Sequence, residues 1–147
     1  MKNQLFLLLL FIATMPVVEA TEMPTEAITV TVKNIKFERA GEVLVFVFYR
    51  QGFPKQHNEA IATFIQPVTG DELLVEIEVP RDQTFALKVL HDENMDGMVS
   101  KNWTGILPYD GLGFSNGARI RFSAPDFDDA MISYSSTLEP VINLQYF

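Results

Sequence analysis

From Ala27 to Leu90 the chain is a succession of short apolar runs rich in Val, Ile, Leu and Phe, broken by Gly, Pro and Asp. Nowhere does an apolar 3.6-residue period persist for three turns. That pattern excludes a helical bundle and calls for strands. Residues 27–35 (AITVTVKNI) and 73–79 (LLVEIEV) alternate apolar with polar side chains, as strands with one buried face do. Residues 42–50 (EVLVFVFYR) are denser in Val and Phe and predict a central strand buried on both faces. Residues 60–68 predict a short strand in which Pro67 marks an end or an edge, because proline has no N–H for a ladder. Residues 84–90 (TFALKVL) predict a strand that runs straight into His91 and Asp92. Residues 119–122, 130–134 and 140–146 supply the last short strands, and Pro125 permits a helical turn over 126–131 without requiring one. Many short strands at even spacing predict an all-β sandwich of about seven to eight strands.

The first twenty residues read differently. Met1 and Lys2 give a positive start, residues 5–12 are an unbroken apolar run, and Val18-Glu19-Ala20 offers small residues where a signal peptidase reads. That is the layout of a secretory signal peptide over 1–20, with a single domain over 21–147. Thr14 and Pro16 interrupt the apolar stretch, so a retained transmembrane anchor is the weaker expectation, and no span is expected after cleavage. The leader carries one Lys and one Glu, so the net charge of −8 belongs to the remainder. An acidic exported domain is a poor partner for nucleic acid, which needs clustered Lys and Arg, and a fair one for a cation. There is no Cys, so neither a disulfide nor a thiol chemistry is available.

The segment 91–130 gathers acids, amides, glycines and aromatics into one long loop region. Within it Asp92, Asn94 and Asp96 are spaced i, i+2, i+4 and are followed at once by Gly97. In EF-hand-type loops those are ligand positions 1, 3 and 5, with glycine at 6 for the sharp turn. Met98 then supplies a backbone carbonyl at position 7, and Ser100 falls at position 9, where a water often mediates. Position 12 is Trp103, whose indole is a donor only, so the carboxylate that normally closes the shell is missing. Flanking helices are missing as well. A Ca2+ site on Asp92, Asn94, Asp96, Met98 and Ser100 therefore needs its last ligand from elsewhere, with Asp110, Asp126, Asp128 and Asp129 available. The competing explanation is that Asp and Asn sit here because their side chains stabilise tight turns. Zinc is not expected, because His57 and His91 are isolated from each other and from any other soft ligand.

Signals of an enzyme are weaker. Gly113 to Gly117 (GFSNG) matches G-x-S-x-G, but that motif needs a strand-turn-helix in an α/β sheet with an acid and then a His downstream, and both His precede Ser115. Two glycines around Ser-Asn fit a loop with positive φ instead. Asp126, Asp128 and Asp129 read as a solvated turn or helix start rather than a catalytic acid pair. His91 is expected to be a strand-end residue hydrogen-bonded to backbone, although its place beside the acids suits a general base. Trp103, Tyr109 and Phe114 are expected to fold the long segment onto the sandwich and seal one end of its core. Asn102-Trp103-Thr104 fits an N-glycosylation site, relevant only in a eukaryote.

The strand ending in His91 to Asn94, the Gly97 turn, the Gly105 to Pro108 segment, Gly113 to Ala118 and the acidic Phe127 to Ala130 stretch together resemble the signature of the DUF2141 family, small exported bacterial proteins of undetermined function. The strand ending in Tyr49 and the Gly52-Phe53-Pro54 turn extend the resemblance over most of the chain after residue 20. Departures are one extra residue at Leu107, Leu112 in place of an aromatic, and Ser100 where an acid is common, which removes a direct carboxylate from the calcium set. The resemblance implies an immunoglobulin-like or transthyretin-like sandwich outside the cytoplasm and carries over no activity. The expectation is a periplasmic or secreted, non-catalytic module that binds an unknown protein or envelope ligand through the 91–130 surface. The alternatives are a metal-free accessory protein of the envelope and, less favoured, a small hydrolase using His91.

Overall fold

The computed structural model describes residues 22–101 and 104–147. The expected leader and the residues Asn102 and Trp103 lie outside the described residues.

Among the described residues eight strands form two facing sheets. The first sheet has the order β4 (Glu72–Pro80), β1 (Thr25–Lys33), β8 (Val141–Asn143), with β1 antiparallel to β4 and parallel to β8. The second has the order β3 (Ala62–Pro67), β2 (Glu42–Phe48), β5 (Thr84–Asp92), β6 (Gly111–Phe114), and β7 (Ile132–Ser133) pairs the start of β5. The alternation of β1 and β4 places Val30, Val32, Val75, Ile77 and Val79 inward, with Thr29, Thr31, Glu76 and Glu78 outward. Strand β3, with Pro67 at its end, lies at a sheet edge as the proline requires.

Strand β2 is buried from Val43 to Phe48 because each of its faces has a core of its own. Val43, Val45 and Val47 point between the sheets, where they meet Val30, Val32, Leu87 and Val89. Leu44, Phe46 and Phe48 point to the outer face, where Leu90, Leu112, Phe114 and Phe127 cover them. Fully burying such side chains contributes roughly 1.5–3 kcal/mol each. The outer core is roofed by connections, and Phe53 stands edge-on to Phe48, Phe114 and Phe127 at centroid distances of 5.7, 6.0 and 5.9 Å. The segment 91–130 is thus no single loop. It is a hairpin excursion, the strand β6, an irregular stretch and a one-turn helix α1 (Phe127–Ala130).

One expected strand moves. Among the described residues, 119–122 have no strand partner, and the sheet position is taken by Gly111–Phe114. The glycines that made 111–114 look like a loop are what the pairing needs. A Cβ on Gly111 would meet the Tyr146 ring at 2.5–2.8 Å, and one on Gly113 would meet the Ile142 side chain at 2.5 Å. The C-terminal segment closes on this strand through the Leu112–Gln145 bridge. Among the described residues no helix is long and apolar enough to cross a membrane.

Candidate functional site

The strands β5 and β6 pair in a register that sets His91 opposite Gly111, so Asp92 and Asp110 face each other one position further out. Residues 93–109 form the excursion between them, tied across by the Lys101–Pro108 bridge and by Tyr109 N donating to Ser100 O at 2.8 Å. Both acids at its base are sealed, Asp92 at 0% and Asp110 at 1% exposure.

Their carboxylates are each half engaged by the excursion's own backbone. Gly97 N donates to Asp92 Oδ2 at 2.6 Å, and Ser100 N donates to Asp110 Oδ2 at 2.6 Å. Among the described residues Asp92 Oδ1, which is buried, has no hydrogen-bond partner. A buried carboxylate oxygen without a donor costs several times what a typical hydrogen bond contributes, so this atom stands out. Burial holds the Asp110 carboxyl above the usual carboxylate range; the Ser100 hydrogen bonds oppose that shift, and the charges of Asp92 and Glu93 add to it.

The other expected ligands lie further out. Asp96 Oδ1 accepts from Met98 N at 2.8 Å and Asp96 Oδ2 accepts from Asn94 Nδ2 at 2.9 Å, with Asn94 and Asp96 both exposed. Ser100 is brought to the base by its bond to Asp110, whereas the Met98 side chain is exposed. Of the four acids offered to close the shell, Asp110 is the one placed opposite Asp92. Asp128 is engaged by Arg50 through two hydrogen bonds of 2.6 and 3.0 Å, and Asp126 and Asp129 lie beyond the other end of β6. Among the described residues no three His, Cys, Asp or Glu side chains converge on one point. A cation at the base would therefore rest on Asp92 and Asp110, completed by carbonyl, amide and water oxygens, the hard ligands that calcium takes.

His91 is wholly buried and occupied on both nitrogens. Its Nε2 lies 2.6 Å from Ala40 O, an acceptor, so Nε2 carries the proton. Its Nδ1 accepts from Tyr146 Oη at 2.8 Å, while Lys36 N donates to the same Oη at 3.0 Å. Burial pushes the Tyr146 phenol up to about 12, against the Lys36 bond, which lowers it. His91 is a strand-end histidine held by backbone and Tyr146. It anchors the 34–41 turn against the strand whose last residue is Asp92.

A second polar group was not visible in the sequence. Lys88 lies on the outer face of β5, only 4% exposed, among the aromatic side chains of the outer core. Its Nζ donates to Pro54 O at 2.9 Å and to His57 Nε2 at 2.7 Å. Burial pulls its pKa down to about 8. His57 stacks on Phe46 with centroids 4.1 Å apart and donates from Nδ1 to Gly97 O at 2.9 Å. Burial and then the Lys88 charge lower its pKa. Lys88, His57, Gly97 and Asp92 are therefore linked by consecutive hydrogen bonds from the outer core to the acidic loop. The available signal was one cation inside an otherwise apolar strand, TFALKVL.

Ser115 is buried at the end of β6. Its Oγ donates to Ala130 O at 2.5 Å and accepts from Leu87 N at 2.8 Å. Asn116 and Gly117 have φ of 56° and 68°, the positive-φ turn expected of this GFSNG segment. Phe114 seals the outer core as expected, while Tyr109 is half exposed beneath the Arg39 guanidinium, 5.1 Å from the ring centroid. Arg39 also pairs with Glu93 at 2.8 Å, fixing the start of the excursion.

The model of a family described as "Uncharacterized protein conserved in bacteria (DUF2141)" matches residues 30–141, from within β1 to the start of β8. No curated protein and no solved structure matches the chain.

Proposed function

The chain belongs to the DUF2141 family, and from that premise we propose that it is an exported, non-catalytic binding module whose 92–110 excursion is ordered by calcium. One observation carries the ion: Asp92 Oδ1, buried and without a donor, at the base of the excursion opposite a second buried carboxylate. The D-x-N-x-D-G spacing supports it, since the first acid of such a loop is a ligand and the glycine makes the turn. Here the Gly97 N–H already holds one Asp92 oxygen and leaves the other available.

The partner surface is the outer part of the excursion. Met95, Met98, Ile106 and Tyr109 expose 64, 63, 80 and 48% of their area there, more than a solvated turn needs. A cation at the base would fix the orientation of these side chains. Export is supported by the signal-like 1–20 segment, and mass spectrometry of the processed chain tests it by placing its start at or away from Thr21. The absence of catalysis is supported by Ser115 and His91, whose polar atoms are already bound to other groups of the fold.

Thermal unfolding in EDTA and then in millimolar calcium tests the ion. A rise of several degrees that magnesium does not reproduce, and that Asp92→Asn abolishes while keeping an oxygen for the Gly97 N–H, is the expected result. An Asp92→Asn variant with the wild-type rise sinks the ion assignment. The alternative of a metal-free accessory module is favoured by the bonds Gly97–Asp92, Ser100–Asp110 and His57–Gly97, which hold the excursion without an ion. It predicts no calcium-dependent rise at all.

A further inference from the structure

The irregular stretch after β6 carries a second site, independent of the acidic loop. Ile120 packs into the outer core, and its N–H donates to Gln145 Oε1 at 3.2 Å. Ile120 is partly buried while Arg119 and Arg121 on either side of it are exposed, so both arginines face solvent. Phe122 follows them fully exposed. These residues line a concavity of about 470 Å³ together with Asn116, Asp126 and Asp129. That volume is within the range of small-molecule sites.

What marks the concavity is the absence of internal partners. Among the described residues neither Arg119 nor Arg121 makes an ion pair or a side-chain hydrogen bond. Both guanidinium groups are thus free to meet a ligand. The nearby Arg50 is paired, with Asp128. The groove floor is also fixed, because Asn116 Nδ2 donates to Asp129 O at 3.0 Å and Ser115 ties the same turn to Ala130.

We propose that this groove binds an acidic saccharide, a glycan bearing uronic-acid carboxylates. Guanidinium groups match a carboxylate with paired donors. An exposed aromatic ring offers an apolar face on which a sugar ring can lie. The carboxylates of Asp126 and Asp129 select the class: they accept hydrogen bonds from hydroxyls, which a uronic-acid glycan carries beside its carboxylate and an acidic peptide's side chains lack. A ligand carrying both a carboxylate and neighbouring hydroxyls satisfies all three groups.

The test is isothermal titration of the mature chain in EDTA with trigalacturonate, with maltotriose and triglutamate as comparisons. EDTA makes the outcome independent of the calcium assignment. Trigalacturonate is expected to bind, and both comparisons to bind at least about tenfold more weakly, a difference one charge-assisted contact supports. The double variant Arg119→Ala, Arg121→Ala is expected to lose about tenfold or more, and Phe122→Ala several-fold, with melting temperatures unchanged because all three side chains are exposed. Three results overturn the proposal. They are no binding of trigalacturonate at millimolar concentration, equal binding of triglutamate, and undiminished binding by the double arginine variant.

Discussion

Asp92 and Asp110 face one another just past the last pair of the β5–β6 hairpin, and neither carboxylate reaches solvent. Two buried acids so placed repel, and the charge of Asp92 contributes to the raised pKa of Asp110. A divalent cation at the base reverses that repulsion. The variant Asp110→Asn keeps an oxygen for the Ser100 N–H and removes one charge. In EDTA it is expected to raise the melting temperature by a few degrees, on the order of 1 kcal/mol. In calcium it is expected to gain nothing, while the wild type rises. Scanning calorimetry in the two buffers checks this. A variant less stable than wild type in EDTA would show that Asp110 acts only as a hydrogen-bond acceptor.

Lys88 makes stability depend on alkaline pH. Its folded pKa of about 8 lies below the ordinary 10.5, so between those values the unfolded chain holds the extra proton. Stability therefore rises as pH climbs through that window, and the full cost of the buried ammonium is present below about pH 8. The rise is about 3 kcal/mol by linkage. Tyr146 works the other way. With its phenol pushed from 10.0 up to about 12, stability falls as pH climbs between those two values. Urea unfolding from pH 7 to 10 is expected to show the increase in wild type and to lose it in Lys88→Met. Parallel curves for the two proteins would mean that Lys88 titrates normally.

The glycines on either side of Asp92 separate strain from contact. Gly41 has φ +85°, and a Cβ there would run into the backbone of Asp92 and Glu93. Gly97 has φ +73° with open space around it. The left-handed conformation alone costs about 1–2 kcal/mol for alanine. Gly97→Ala is expected to lose about that amount, and Gly41→Ala about 3 kcal/mol or more, because the Asp92 backbone has to move. Chemical denaturation of both variants checks the order. Equal losses would mean that the 34–41 turn yields freely and does not position Asp92.

Much of this was legible locally. The valine and phenylalanine density of β2 announced two buried faces, and GFSNG announced its positive-φ turn. The D-x-N-x-D-G spacing announced a sharp turn at Gly97, which the bond from Gly97 N to Asp92 closes. What escaped depends on distant chain. Gly111 and Gly113 resemble loop residues until Tyr146 and Ile142 are placed against them. Lys88 resembles an outward residue of an alternating strand until Pro54 and His57 cover it. The choice of Asp110 among four acids needs the register of β5 against β6. The arginine groove was read as a strand because the polar-apolar alternation around Ile120 looks like one, whereas the chain bends over residues 121–123 and finds no neighbour to pair with among the described residues.

Ser115 decides between a nucleophile and a structural post. Its hydroxyl is buried, donates to Ala130 O and accepts from Leu87 N, and so joins β6, β5 and the helix α1. Ser115→Ala leaves a buried N–H and a buried carbonyl without partners, each costing about 1–3 kcal/mol. The melting temperature is expected to fall on the order of 10 °C. Turnover of p-nitrophenyl acetate is expected to stay at the buffer background before and after the substitution. A catalytic serine behaves in the opposite way: its removal spares the fold and abolishes turnover. A stable, inactive Ser115→Ala variant paired with an active wild type would therefore overturn the non-catalytic assignment.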